Sequence, residues 1–223
     1  MRFFEVAINM SPLLKKIRIP FQYTFFNCTI WIIAINIFIY FLISVIPEFR
    51  HYLSLNVIFF VEYKMIWQPF TYMFVHGNIQ HLFFNMLGLL FFGIAVEKAV
   101  GSKEFLLMYL VTGFLCGMLS FAVYYYFKMY RVFLMGASGA VYAMLLAYAV
   151  IFPRSKIFIW GLIPIPAPVL VVAYAVIELL SQLFGANSGI AHLTHLGGFV
   201  FAWFYFVLRM GINPYKIWKS NYR

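Results

Sequence analysis

A chain of 223 residues that is 65% hydrophobic, 22% aromatic and only 10% charged, with a mean hydropathy of +0.92, falls outside the range of soluble domains, which are about half apolar and about a quarter charged. Its net charge of +10 does not call for nucleic acid, because basic residues in membrane proteins gather at the cytoplasmic ends of helices. The chain contains no Asp, so a Ser-His-Asp triad is excluded and any serine chemistry must use a dyad, or Glu as a third member.

In chain order, residues 1–20 read as a basic, partly apolar segment at the membrane surface, with no apolar stretch and cleavage site of signal-peptide form. Six apolar segments follow, near 25–46, 78–96, 104–127, 138–152, 167–184 and 192–208. A bilayer core takes about 20 residues of helix, so these predict an all-α, polytopic bundle of six transmembrane helices over 21–212, ending in a basic cytoplasmic tail at 213–223. The fourth segment is short. The loop 47–77 is long and rich in aromatic residues, including Tyr52, Phe59, Tyr63 and Trp67, which suits a position in the membrane interface. Cys28 and Cys116 sit in apolar runs and read as reduced core residues.

Basic residues set the orientation. With both termini in the cytoplasm, the inner pieces hold Arg2, Lys15, Lys16, Arg18, Lys98, Lys103, Arg154, Lys156, Arg209, Lys216, Lys219 and Arg223. The outer pieces hold only Arg50, Lys64, Lys128 and Arg131. A bacterial cell (inner) membrane is the expected location.

Polar groups inside spans are costly and point to function. Ser138 lies 15 residues from Pro153, and His195 lies 14 from Arg209. At about 1.5 Å per residue both stand about 21–22 Å above the inner end. His81 and Asn85, counted from Lys98, stand at about 25 and 20 Å. They share one helix face, being four residues apart. Three helices thus bring polar side chains to one height, about 5–10 Å below the outer surface of a core about 30 Å thick.

The fourth helix begins at Ser138 itself, and a helix can start at that depth only where protein or a water cavity satisfies its free N–H groups. Such groups are what an oxyanion requires, and Gly136 and Gly139 permit a tight turn and close backbone approach. Ser138 is therefore read as the nucleophile and a neutral histidine as its base. His81, Asn85 and the Ser138 N–H are the candidate oxyanion donors. His195 is the preferred base, because Gly197-Gly198 and Ala202 let its helix approach the one carrying Ser138. Tyr142, four residues after Ser138, is placed to stack on it. His192, one turn nearer the surface, is assigned capping or gating. His76 is read as a surface or supporting residue, and Glu178 as a polar contact within the bundle.

At these residues the sequence resembles the rhomboid intramembrane serine proteases. The motif GxSG is read as Gly136-Ala137-Ser138-Gly139, the pattern HxxxxHxxxN as His76 through His81 to Asn85, and the sixth-helix histidine with its glycines as His195-Leu196-Gly197-Gly198. The run Ala95–Ser102 matches the family's turn after the second helix. The resemblance implies a Ser138/His195 dyad with His81 and Asn85 as oxyanion donors, acting on single-span transmembrane proteins within the lipid bilayer. No cofactor, metal or nucleic acid is expected. Two positions depart from the pattern. Trp67 is followed by Gln68 and Pro69, where Trp-Arg is common, and Ala202 stands where Gly is common. The rivals to this reading are a catalytically silent relative that binds membrane clients, and a metal or haem protein built on His76, His81, His192 and His195, whose nearby side-chain oxygens are expected to be neutral.

Overall fold

The computed structural model describes residues 12–159, 161–184 and 189–222. Residues 1–11 of the basic N-terminal segment and 185–188, between the fifth and sixth expected spans, lie outside the described residues. The described part of that first segment holds a short helix, α1 (Pro12–Ile17). The first span is α2 (Cys28–Val45). The second is α6 (Ile79–Gly88), continued through a π-helical turn at Leu89–Gly93 into α7 (Ile94–Val100). The third is α8 (Ser102–Tyr126), and α9 (Ser138–Ile151) follows as a shorter apolar helix. The fifth span is α10 (Ala167–Phe184), and the sixth is α11 (Gly189–Tyr205), ending in a π-helical turn at Phe206–Met210. Five of these helices are long and apolar enough to cross a membrane. The architecture is the expected all-α polytopic bundle, and each expected span overlaps its helix closely.

The core lies around α9. Eleven of its 14 residues are buried, whereas α2 and α10 turn large apolar side chains such as Trp31, Phe38, Ile177 and Leu183 outward. A helix apolar all round is satisfied either at the centre of a bundle or against lipid, and here the two cases are side by side. Small residues let the central helices meet. A Cβ on Gly198 of α11 would stand 2.2 Å from the Gly139 carbonyl oxygen of α9, a separation that no real side chain tolerates. This is the close approach expected from Gly197-Gly198. Ala202, one turn on, is fully buried.

The long first loop is folded. It holds α3 (Glu48–Leu53), α4 (Val57–Val61) and α5 (Gln68–Thr71), and it is tied to the segment before α9 by an antiparallel bridge between Leu55 and Leu134. Gln68, where the sequence departs from the family pattern, is its buried anchor. Its amide donates to the His51 and Tyr52 carbonyls (3.1 and 3.3 Å) and accepts from the Asn56 N–H at 3.1 Å.

A hairpin and a C-terminal helix lie outside those expectations. A two-stranded hairpin, β1 (Lys156–Ile159) and β2 (Ile163–Pro166), joins α9 to α10. The basic C-terminal segment forms α12 (Pro214–Asn221), which packs on α9 through a bond from Trp218 Nε1 to the Ala149 carbonyl at 2.9 Å.

Candidate active site

The turn Gly136-Ala137 delivers Ser138 to the first position of α9. Gly136 has φ of +120°, a conformation that other residues avoid. A Cβ there would also stand 2.7 Å from His81 Nε2, so the glycine both makes the turn and leaves room for the imidazole. No side chain caps α9, and its first N–H groups have no acceptor within the helix.

The α9–α11 contact sets the chemistry. His195 Nε2 lies 2.8 Å from Ser138 Oγ. The Tyr142 ring lies flat on the His195 ring, with centroids 4.4 Å apart and planes at 9°. On the other wall, α6 presents His81 and Asn85. Asn85 donates one amide hydrogen to the His81 carbonyl at 2.9 Å, which leaves the second available. Ser138, His195, His81, Asn85 and Tyr142 line one cavity of about 490 Å³. The cavity runs inward between α6 and α10, past Gly88, Leu145 and Tyr174, to Ile157 and Ile159 of β1. Ser138, His195, His81, Asn85 and Tyr142 thus meet in one place, and Gly136, Gly139 and Gly198 stand beside them. Gly136, Gly139 and Gly198 serve through backbone and space rather than side chains.

The structure adds a carboxylate that periodicity did not locate. Glu178 of α10 is buried, and its Oε1 lies 3.0 Å from His195 Nδ1. The same oxygen accepts from the Tyr142 hydroxyl, and Oε2 lies 2.5 Å from His192 Nδ1. The polar contact expected of Glu178 therefore falls on the candidate base itself. This also corrects the expectation that the oxygens near the histidines are neutral. The ligand atoms of Glu178, His192 and His195 lie within 4.8 Å of one another, a donor set that could hold a metal ion, although Glu178 already bonds both imidazoles. The single acid in a largely apolar α10 was the available signal. Which way it faces depends on how α10 packs, and one sequence does not give that.

His76 also differs from the surface reading. It is 1% exposed, its ring meets His81 edge-on at 5.1 Å, and burial, with His81 adding to it, pushes its imidazole down to about 4. Cys28 and Cys116 are free and buried, as expected.

A helical bundle with a polar constellation enclosed between its spans defines a multi-pass membrane protein with a built internal site. Residues 63–211 match the Rhomboid domain, and the chain belongs to the rhomboid family. It is 33% identical over 138 residues to RHOMBOID-like protein 4 of Arabidopsis thaliana, covering 60% of this chain and 31% of that protein. To RHOMBOID-like protein 12, mitochondrial, of the same plant it is 31% identical over 142 residues, covering 57% and 42%. To Rhomboid protease GlpG of Salmonella choleraesuis (strain SC-B67) it is 34% identical over 80 residues, covering 36% and 27%. The chain thus spans less than half the length of each of these relatives.

Proposed function

We propose that this chain is an intramembrane serine endopeptidase that cuts transmembrane segments of other membrane proteins near the outer face of the bilayer. The observation that carries the reading is the 2.8 Å contact between His195 Nε2 and Ser138 Oγ, made at the head of α9 inside a cavity also lined by His81 and Asn85. A serine that merely eases helix packing needs no such partner.

In this mechanism Ser138 Oγ attacks the scissile carbonyl carbon while its proton passes to His195 Nε2. The resulting oxyanion is met by the free N–H groups at the start of α9, the spare amide hydrogen of Asn85 and the His81 ring. The C–N bond breaks as Nε2 returns the proton to the leaving amine, giving an acyl-enzyme. Water, deprotonated by the same nitrogen, then hydrolyses the ester. These side chains and water suffice, and no cofactor enters. The catalytic unit is assigned to residues 21–212, with the basic segments 1–20 and 213–223 at the cytoplasmic face of a bacterial inner membrane and both termini inside.

The substrate is assigned by the same physics. An intact helix hides its peptide bonds, and unwinding one in lipid exposes N–H and C=O groups at several kcal/mol each. A single-span client with Gly or Pro near its outer end meets that cost most readily. The gap between α6 and α10, along which the cavity runs, is the natural route of entry.

The test is cleavage of a model single-span substrate by the full chain in liposomes. Ser138→Ala and His195→Ala should each abolish turnover, and the double variant should be no worse than either, because members of one catalytic unit are not additive. Cleavage that persists in Ser138→Ala rejects the proposal. So does a dead His192→Ala beside an active His195→Ala, as far as the base is concerned.

A further inference from the structure

The dyad does not stand alone in this chain. We infer that Glu178 is a positioning residue for His195, so that the reacting unit is a Glu178–His195–Ser138 relay whose carboxylate is supplied by the fifth span. The inference rests on the reading of Ser138 and His195 as nucleophile and base, and deepens it.

The argument begins with what an imidazole can do. In its neutral form one nitrogen donates and the other accepts. To take the proton of Ser138, Nε2 must carry the lone pair, so Nδ1 must carry the hydrogen. A carboxylate only accepts, and Glu178 Oε1 lies 3.0 Å from His195 Nδ1. It therefore selects the tautomer that base catalysis needs. When Nε2 receives the serine proton, the ring becomes an imidazolium held against a carboxylate, which stabilises the charge as it forms. Glu178 stays ionised throughout. The proton moves from Oγ to Nε2 and then to the leaving amine, while the Nδ1 hydrogen stays in place.

The surroundings hold this arrangement from several sides. Tyr142 stacks on the His195 ring, and its hydroxyl bonds the same Glu178 oxygen, so one side chain fixes both the plane of the base and the carboxylate that orients it. His192 occupies the other oxygen. It thereby orients Glu178 rather than entering the reaction, a more specific role than capping.

The placement on α10 gives the relay a second property. Beyond Val171, Glu178 is the buried residue of that helix among those described, while Val172, Val176, Ile177, Leu179, Leu180 and Leu183 all face outward. The polar clamp at Glu178 is thus one tie between the outer half of α10 and the helices α9 and α11, beside the packing of Tyr174 on Tyr142. Displacement of that half withdraws the carboxylate from His195, so the base is correctly oriented only while α10 is seated.

The experiment compares wild type, Glu178→Gln and Glu178→Asp as full chains in liposomes. Cleavage is measured together with the rate at which a fluorophosphonate modifies Ser138, and the tautomer of His195 is read by ¹⁵N NMR of histidine-labelled protein. We expect wild-type His195 to carry its hydrogen on Nδ1. In Glu178→Gln, kcat should fall by roughly 10- to 10⁴-fold, the range bounded by loss of the orienting acid in a triad. KM should be little changed, the labelling rate should fall in parallel, and Glu178→Asp should recover part of both. A merely structural role would lower the amount of folded protein but not the rate per folded molecule. If Glu178→Gln does not fold, the wild-type tautomer decides, and a hydrogen on Nε2 overturns the inference. Wild-type kcat and labelling in Glu178→Gln overturn it too, while a dead Ser138→Ala in the same assay leaves the protease reading intact. Full activity in Ser138→Ala would instead remove the reading on which the relay rests.

Discussion

The bundle buries carboxylates at both ends and partners them differently. Toward the end where the second and third spans meet, Glu97 accepts from the Cys28 N–H at 2.7 Å, the Thr29 N–H at 2.9 Å and the Thr29 hydroxyl at 2.6 Å, and it also bonds the Ser102 hydroxyl. It thus caps α2, whose own preceding residue, Asn27, makes no side-chain cap. Glu104 accepts from Arg209 through two bonds of 2.9 and 2.8 Å and from the Tyr205 hydroxyl at 2.5 Å. At the opposite end Glu178 faces two imidazoles and a tyrosine. The partners of Glu97 and Glu104 are backbone amides, hydroxyls and a guanidinium, none of which changes charge near neutral pH. Imidazoles do. Carboxylates held by permanent donors latch helices together. The one held by exchangeable donors can serve a proton transfer.

That contrast is sharpened first at the oxyanion wall, where rate alone should change. Asn85→Ala should lower kcat by roughly 10- to 1000-fold, the order of losing one oxyanion donor, with thermal stability nearly unaltered, because its partner is a local carbonyl. Turnover measured beside a melting curve checks this. At the latch the pattern should reverse. Arg209→Met strands the Glu104 carboxylate, which is 1% exposed, and removing one partner of such a pair costs about 3 kcal/mol or more. The melting temperature should drop clearly, while kcat per folded molecule should stay near wild type.

The smallest effect concerns His76, which belongs to neither group. Both of its ring nitrogens are buried, and burial holds its imidazole down at about 4, from 6.5. Above pH 6.5 the folded and unfolded states are both neutral here, and the residue imposes no pH dependence. As pH falls from 6.5 toward 4, the unfolded chain takes up a proton that the folded one refuses, so stability is lost, by roughly 2 kcal/mol by pH 5. His76→Gln should lose less stability than wild type between pH 7 and pH 5, as read by thermal unfolding in detergent.

The spans were legible in the sequence because hydropathy over about 20 residues is a one-dimensional signal. The site was legible for a related reason. Residue counts from Pro153, Arg209 and Lys98 gave common depths for Ser138, His195 and Asn85, and small residues marked where α9 and α11 touch. What stayed hidden depends on how elements face one another. Glu178 reaches His195 only because α10 turns that side inward, and a helix apolar on nearly every side offers no clear stripe to show it. The β1–β2 hairpin is four residues a side, and Pro164 and Pro166 within β2 mask its pairing, since proline lacks the donor N–H that a ladder uses. Gln68 anchors the first loop through backbone carbonyls, a role that a glutamine does not announce. His76 was left between a surface and a supporting reading because its place at the head of the second span gives no burial signal, whereas in the fold it is 1% exposed and its ring meets His81.

The central claim is that Ser138 is an activated nucleophile rather than a packing residue. The most direct measurement is intact-protein and peptide mass spectrometry after treatment with a fluorophosphonate, which modifies only an activated hydroxyl. The account predicts a single adduct mapped to Ser138, lost in His195→Ala. A preparation that cleaves substrate yet carries no adduct at Ser138, or carries one that is unaffected by His195→Ala, would contradict it.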